Sequence, residues 1–91
     1  KCEKYTDPLT DLVIYAHQLP QREAELVTVL PMANHYLVVY EDGYMATINA
    51  QLEVIHQSEY MQDLPIRAAY KVAGNVIALV TPIRIGYLVS D

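Results

Sequence analysis

The 91-residue chain is 53% hydrophobic and carries a formal net charge of −5. That apolar content excludes a disordered chain, and the acidic balance disfavours a nucleic-acid backbone or an anionic membrane surface as partner. A lone cysteine, Cys2, excludes an intrachain disulfide framework. No apolar run reaches the length of a membrane span.

All aromatic bulk comes from eight tyrosines, with no Phe and no Trp. Tyrosine suits positions buried at one end and wet at the other, as in sheets and interfaces. The six basic residues, Lys1, Lys4, Arg22, Arg67, Lys71 and Arg84, are scattered. Cys2 is read as a free thiol near the chain end. The single cysteine, the absence of an Asn-x-Ser/Thr acceptor and the absence of a visible secretory leader fit a cytoplasmic, reducing setting.

Residues 1–10 are polar and turn-like, with Asp7-Pro8 as a breaker. Residues 12–16 read as a strand from their β-branched and aromatic content. A polar connection follows over 19–23. Pro20 and Pro31 bracket a stretch of mixed preference, where Arg22-Glu23-Ala24-Glu25-Leu26 favours a helix and Val27-Thr28-Val29-Leu30 a strand. The strand, over 26–30, is the reading adopted.

Residues 36–40 and 44–49 form the clearest hairpin. Asp42-Gly43 suits a two-residue type I′ turn, in which both residues take positive φ. That turn sets Tyr40 opposite Met45, Val38 opposite Thr47 and Leu37 opposite Ile48. One face then carries Leu37, Val39, Ala46 and Ile48, and the other Tyr36, Val38, Tyr40 and Met45. Both faces are apolar, so the hairpin is expected between other layers rather than half in water. The cover for those faces is expected from outside these 91 residues.

Residues 52–57 read as a further strand and 58–64 as a polar loop. A second hairpin spans 66–72 and 76–81 through Ala73-Gly74-Asn75. Pro82 breaks it, and 83–89 supplies a last strand. The pattern is all-β, an antiparallel meander of short strands, with a small barrel or sandwich as the alternative.

The two hairpins share an offset of 40: Leu37 with Ile77, Val39 with Leu79, Tyr40 with Val80, Ala46 with Gly86 and Ile48 with Leu88. A second echo, at 39, relates Val13-Ile14-Tyr15-Ala16-His17-Gln18 to Leu52-Glu53-Val54-Ile55-His56-Gln57. A period near 40 is that of four-stranded repeating blades.

On Tyr36-Leu37-Val38-Val39-Tyr40-Glu41-Asp42-Gly43-Tyr44-Met45-Ala46-Thr47-Ile48 the chain resembles a β-propeller of the WD-repeat type. It is loosely similar to the divergent propellers of vesicle-tethering subunits. The resemblance covers roughly residues 12–89, as two blade units over about 12–50 and 51–91. It lacks the Gly-His and Trp-Asp signatures, and the second unit has Thr81-Pro82 where the first has Asp42-Gly43. The resemblance implies a scaffold that presents loops to protein partners. Two blades do not close a ring, so it also implies a piece of a longer chain or several copies together.

No catalytic, metal or cofactor site is expected. His17, His35 and His56 lack zinc-ligand spacing, and His17 and His56 are read as strand-end polar residues that bond into turns. Nucleophile elbows and phosphate-binding loops are missing. Glu23/Glu25 and Glu41/Asp42 read as solvated carboxylates. Tyr36, Tyr40 and Tyr70 are read as cross-strand packing, whereas Tyr44, after the turn, is expected to be exposed. Glu41, Asp42, Tyr44, Thr81, Pro82 and Arg84 are the candidate partner-contact residues, which the resemblance to a propeller places on one rim. The functional expectation is a non-enzymatic protein-interaction module within a larger assembly. The alternative is a compact acidic inhibitor or adaptor that occupies a site on a target protein.

Overall fold

The computed structural model describes residues 4–60 and 63–89, so Cys2 lies outside them. Nine short strands form three antiparallel sheets, and among the described residues there is no α-helix. The first sheet pairs β1 (Lys4–Thr6) with β2 (Val13–Tyr15). A single 3-10 turn, Ala16–Gln18, follows. The second sheet is a four-stranded meander of β3 (Leu26–Pro31), β4 (Tyr36–Tyr40), β5 (Tyr44–Ile48) and β6 (Val54–Glu59). The third holds β7 (Ala68–Ala73), β8 (Val76–Val80) and β9 (Ile85–Val89). The expected all-β meander of short strands is the observed architecture. β1 was not foreseen in the polar first ten residues, because its pairing with β2 is a tertiary event.

Every residue of β4 and β5 is buried. These strands are the middle layer of the molecule. On one side Tyr36, Val38, Tyr40, Tyr44, Ala46 and Ile48 pack with Ile14 and Leu19, and with the half-buried Tyr5, Leu12 and Ala24. On the other side Leu37, Val39 and Met45 pack with Ile66, Ala69, Ile77 and Leu79. The expectation that both faces are covered holds. The expectation that the cover lies outside the chain does not, since β1–β2 and β7–β8 supply it.

The register differs by one residue from the expected one. Val39 pairs with Met45, Val38 with Ala46, Leu37 with Thr47 and Tyr36 with Ile48. The loop has three residues, Glu41, Asp42 and Gly43. The Gly43 N–H donates to the Tyr40 carbonyl at 3.1 Å, and Gly43 alone takes a positive φ, 97°. This is a type I turn closed by a left-handed glycine, not a I′ turn. Asp42 needs no positive φ; its Oδ1 instead accepts from the Tyr44 N–H at 3.0 Å. Because side chains alternate with a period of two, the one-residue slip moves Ala46 and Ile48 to the face of Val38, and Met45 to that of Val39.

Other boundaries also move. β6 begins at Val54 and runs to Glu59, because Leu52, expected inside the strand, sits in a turn at φ 67°. His56 is therefore mid-strand, and His17 lies in the 3-10 turn, stacked on Tyr15 at 5.6 Å. The echo at 39 does not match the strand starts, since β2 begins at Val13 and β6 at Val54, 41 residues later. Each strand returns 40–42 residues later: β1 as β5 and then β9, β2 as β6, β3 as β7, and β4 as β8.

Gly86 in β9 faces inward, opposite Leu79. A Cβ there would collide with the Tyr60 hydroxyl, so Tyr60 can fold over the strand only because residue 86 is glycine.

Gly43→Val tests the turn. A β-branched residue at φ 97° is strained, and by the αL penalty the substitution costs at least about 1 kcal/mol. Urea unfolding of wild type and variant measures it. Equal midpoints would remove the assigned turn.

Candidate interaction surface

The Asp42 turn and the Thr81 turn lie at the same end of the molecule. Residues 66–67 join them: the Ile66 N–H donates to the Glu41 carbonyl at 2.9 Å, and the Arg67 N–H donates to the Val80 carbonyl at 2.7 Å. Antiparallel meanders joined in sequence bring equivalent hairpin ends to one side, and these two bonds hold the Glu41 turn and the end of β8 to the same short segment.

Their roles at that end differ from a simple contact loop. Glu41 accepts from the Arg67 guanidinium at 2.8 Å, which ties the second sheet to the start of the third. Asp42 accepts from Arg22 at 3.2 Å. The Tyr44 N–H, Arg22 and local N–H donors hold the Asp42 carboxyl below the usual carboxylate range. Both pairs are partly exposed, where such bridges are worth little. Thr81 is buried and bonds across its own turn: Arg84 N–H donates to its hydroxyl at 3.3 Å. Pro82, Ile83 and Arg84 are exposed, Ile83 at 66%.

Tyr44 is not exposed. It is 7% accessible, and its hydroxyl donates to Gln57 at 2.6 Å. The one-residue change of register places it inside the face of Tyr40, with ring centroids 5.4 Å apart. The Arg22 guanidinium covers its ring at 3.7 Å. Tyr40 in turn donates to the Pro20 carbonyl at 2.5 Å. The same chemistry recurs at the other end, where Tyr36 donates to the buried Asp7 at 2.5 Å. That bond holds the Asp7 carboxyl low and pushes the Tyr36 phenol up.

A further exposed apolar surface lies elsewhere, and the sequence reading did not single it out. It is the outer face of the third sheet. Tyr70, Val72, Ile85, Tyr87 and Val89 are between 51% and 65% accessible. The register sets Tyr70 and Tyr87 on either side of Ala78, and Ile85 beside Val80. These side chains form one continuous layer. Tyr70, read from sequence as packed within the sheet, instead belongs to this open face. The signal was present in the apolar alternation of 83–89, but sequence does not say which side of a sheet is covered. Among the described residues no group of three or more His, Cys, Asp or Glu gathers in space, and no helix is long and apolar enough to cross a membrane.

Burial, then Tyr44, pushes the Tyr40 phenol up to about 12 from 10, against a smaller opposing effect of Arg22. A raised folded-state value stabilises the fold fully below pH 10 and loses that contribution as pH climbs through about 12. Tyr40→Phe therefore costs about 1 kcal/mol at neutral pH, and the gap to wild type narrows between pH 10 and 12. Thermal melts across that range measure it, and a constant gap would refute the assignment.

The chain matches no protein-family model, no curated protein and no solved structure, so its reading rests on this geometry.

Proposed function

We propose that the chain is a non-enzymatic protein-interaction module, a propeller-type scaffold segment that acts within a larger assembly. The outer face of β7–β9 carries the proposal. The central strands β4 and β5 of the second sheet are covered on both faces by their neighbours in sequence, whereas the third sheet is covered on one. A contiguous layer of Tyr, Ile and Val in water is unfavourable and marks an association surface. The two flanking tyrosines supply the large, rigid contact area typical of interface anchors.

The recurrence of each strand after 40–42 residues supports the scaffold part of the reading, because that is the period of stacked four-stranded units. The three sheets do not close into a ring among the described residues. On this reading the open face meets a further unit of the same kind, in the same chain or in a partner. The rim of Pro82, Ile83 and Arg84 stays free for a second contact.

An apolar face without its partner self-associates. Sedimentation equilibrium of the chain is expected to show species heavier than 10.3 kDa, and Tyr70→Glu/Tyr87→Glu is expected to return it to monomer with the fold kept. A wild type that stays monomeric, with neither solubility nor melting altered by the double substitution, would overturn the proposal.

A further inference from the structure

Among the described residues the third sheet has three strands where the second has four, and the place beside the last one is a cleft. The sheets stack strand over strand: β7 lies beside β3, Ile77 and Leu79 of β8 meet Leu37 and Val39 of β4, and Leu88 of β9 borders the same cluster near Met45 of β5. The next position would lie over β6, which is exposed along its whole length. A cleft of about 430 Å³ is found there. Its walls include Met45, Thr47, His56 and Ser58 on one side and Leu88 and Val89 on the other. It continues the apolar contact between the sheets outward into a half-polar space. His35, also on the wall, holds a buried Nε2 without a hydrogen-bond partner.

One border of the cleft is the free edge of β9. The Thr81 N–H donates to the Arg84 carbonyl at 2.9 Å. In an antiparallel ladder bonded pairs alternate with non-bonded ones. Arg84, Gly86 and Leu88 therefore turn their main-chain groups toward β8. The N–H and C=O groups of Ile85, Tyr87 and Val89 point to the edge, where no further strand pairs among the described residues. A row of donors and acceptors at strand spacing is complementary to an extended backbone. The chain itself contains the precedent, since β6 fills the equivalent position beside β5 one repeat earlier.

We infer that this cleft is a strand-addition site, which takes an extended segment of a protein partner paired antiparallel to β9. The segment bonds to Ile85, Tyr87 and Val89 and seats small or hydrogen-bonding side chains on Thr47, His56 and Ser58. The inference rests on the interaction-module reading only in taking the partner to be protein. It uses the edge of the third sheet, whereas that reading uses its outer face.

The probe is a capped synthetic peptide of residues 53–60, the strand that fills the equivalent place in the preceding unit. It is titrated into the full chain and followed by amide NMR and amide hydrogen exchange. Binding is expected to slow exchange at Ile85, Tyr87 and Val89 at least tenfold and to shift the amides around His56. Tyr87→Pro removes one edge donor and no ladder bond, a change edge strands tolerate, and it is expected to abolish binding. Tyr87→Ala keeps the N–H and is expected to retain it. Tyr70→Glu, on the outer face, is expected to weaken self-association and leave peptide binding intact, which separates failure of this site from failure of the face. No protection at the edge amides at millimolar peptide overturns the inference. So do shifts at His35 and His56 without edge protection, which would mark a small-molecule cleft, and equal loss in Tyr87→Ala. If Tyr87→Pro unfolds, edge protection in the unaltered chain decides alone.

Discussion

The register of the β4–β5 hairpin is the constraint on which the rest of the structure depends. Both strands are buried on both faces, so every apolar side chain in them belongs to one of two cores. A slip of one residue would send Ala46 and Ile48 toward the third sheet and Met45 and Thr47 toward the first. Neither core would fill, because Ala46 sits where the tyrosine-rich layer has little room and Met45 fills the gap beside Ile66 and Leu79. The three-residue loop, locked by the positive φ of Gly43, excludes that slip. Local backbone geometry at one glycine thus decides the composition of two hydrophobic layers.

The absence of Phe and Trp acquires a reason in the same layer. Three buried tyrosines of the first core reach its margins, and their hydroxyls bond to protein groups: Tyr36 to Asp7, Tyr40 to the Pro20 carbonyl, and Tyr44 to Gln57. The first two tie the middle sheet to the N-terminal segment and to the connection that follows it, and the third ties β5 to β6 within the sheet. A phenylalanine core of the same area would bury as much apolar surface but would not fix the N-terminal strands and the 20–25 connection against it. The second core contains no such bonds among its buried side chains and relies on aliphatic packing, with Tyr60 laid over Gly86 at its edge.

Strand existence was legible in the sequence because β-branched and tyrosine-rich runs are separated by Pro, Gly and Asn. The bias of Val27 to Leu30 rightly outweighed the helical preference just before it, and β4 and β8 begin 40 residues apart. Register was not legible. Asp-Gly serves equally in a two-residue I′ turn and in a three-residue turn with a left-handed glycine, and the sequence does not say whether Glu41 belongs to strand or loop. The misplacement of Tyr44 at the surface follows from that single ambiguity. The assignment of Tyr70 to packing failed for a different reason, since an apolar alternation announces a buried face without saying whether its cover is present.

That distinction governs how the molecule is read. Equivalent positions in successive sheets have different environments although their sequences are alike. β4 and β8 share an offset of 40 and similar aliphatic content, yet β4 is sealed on both sides while the sheet of β8 opens Tyr70, Ile85 and Tyr87 to solvent. β5 is flanked by β6, whereas β9 has no further strand beside it among the described residues. Strands built to the same pattern carry the same demand for cover, so the difference lies in what surrounds them and not in what they are. An apolar outer face and an unpaired edge on the same sheet are two parts of one incompleteness. On the proposed reading one takes a layer on top and the other a strand alongside, and a further meander of the kind formed by the second and third sheets would supply both.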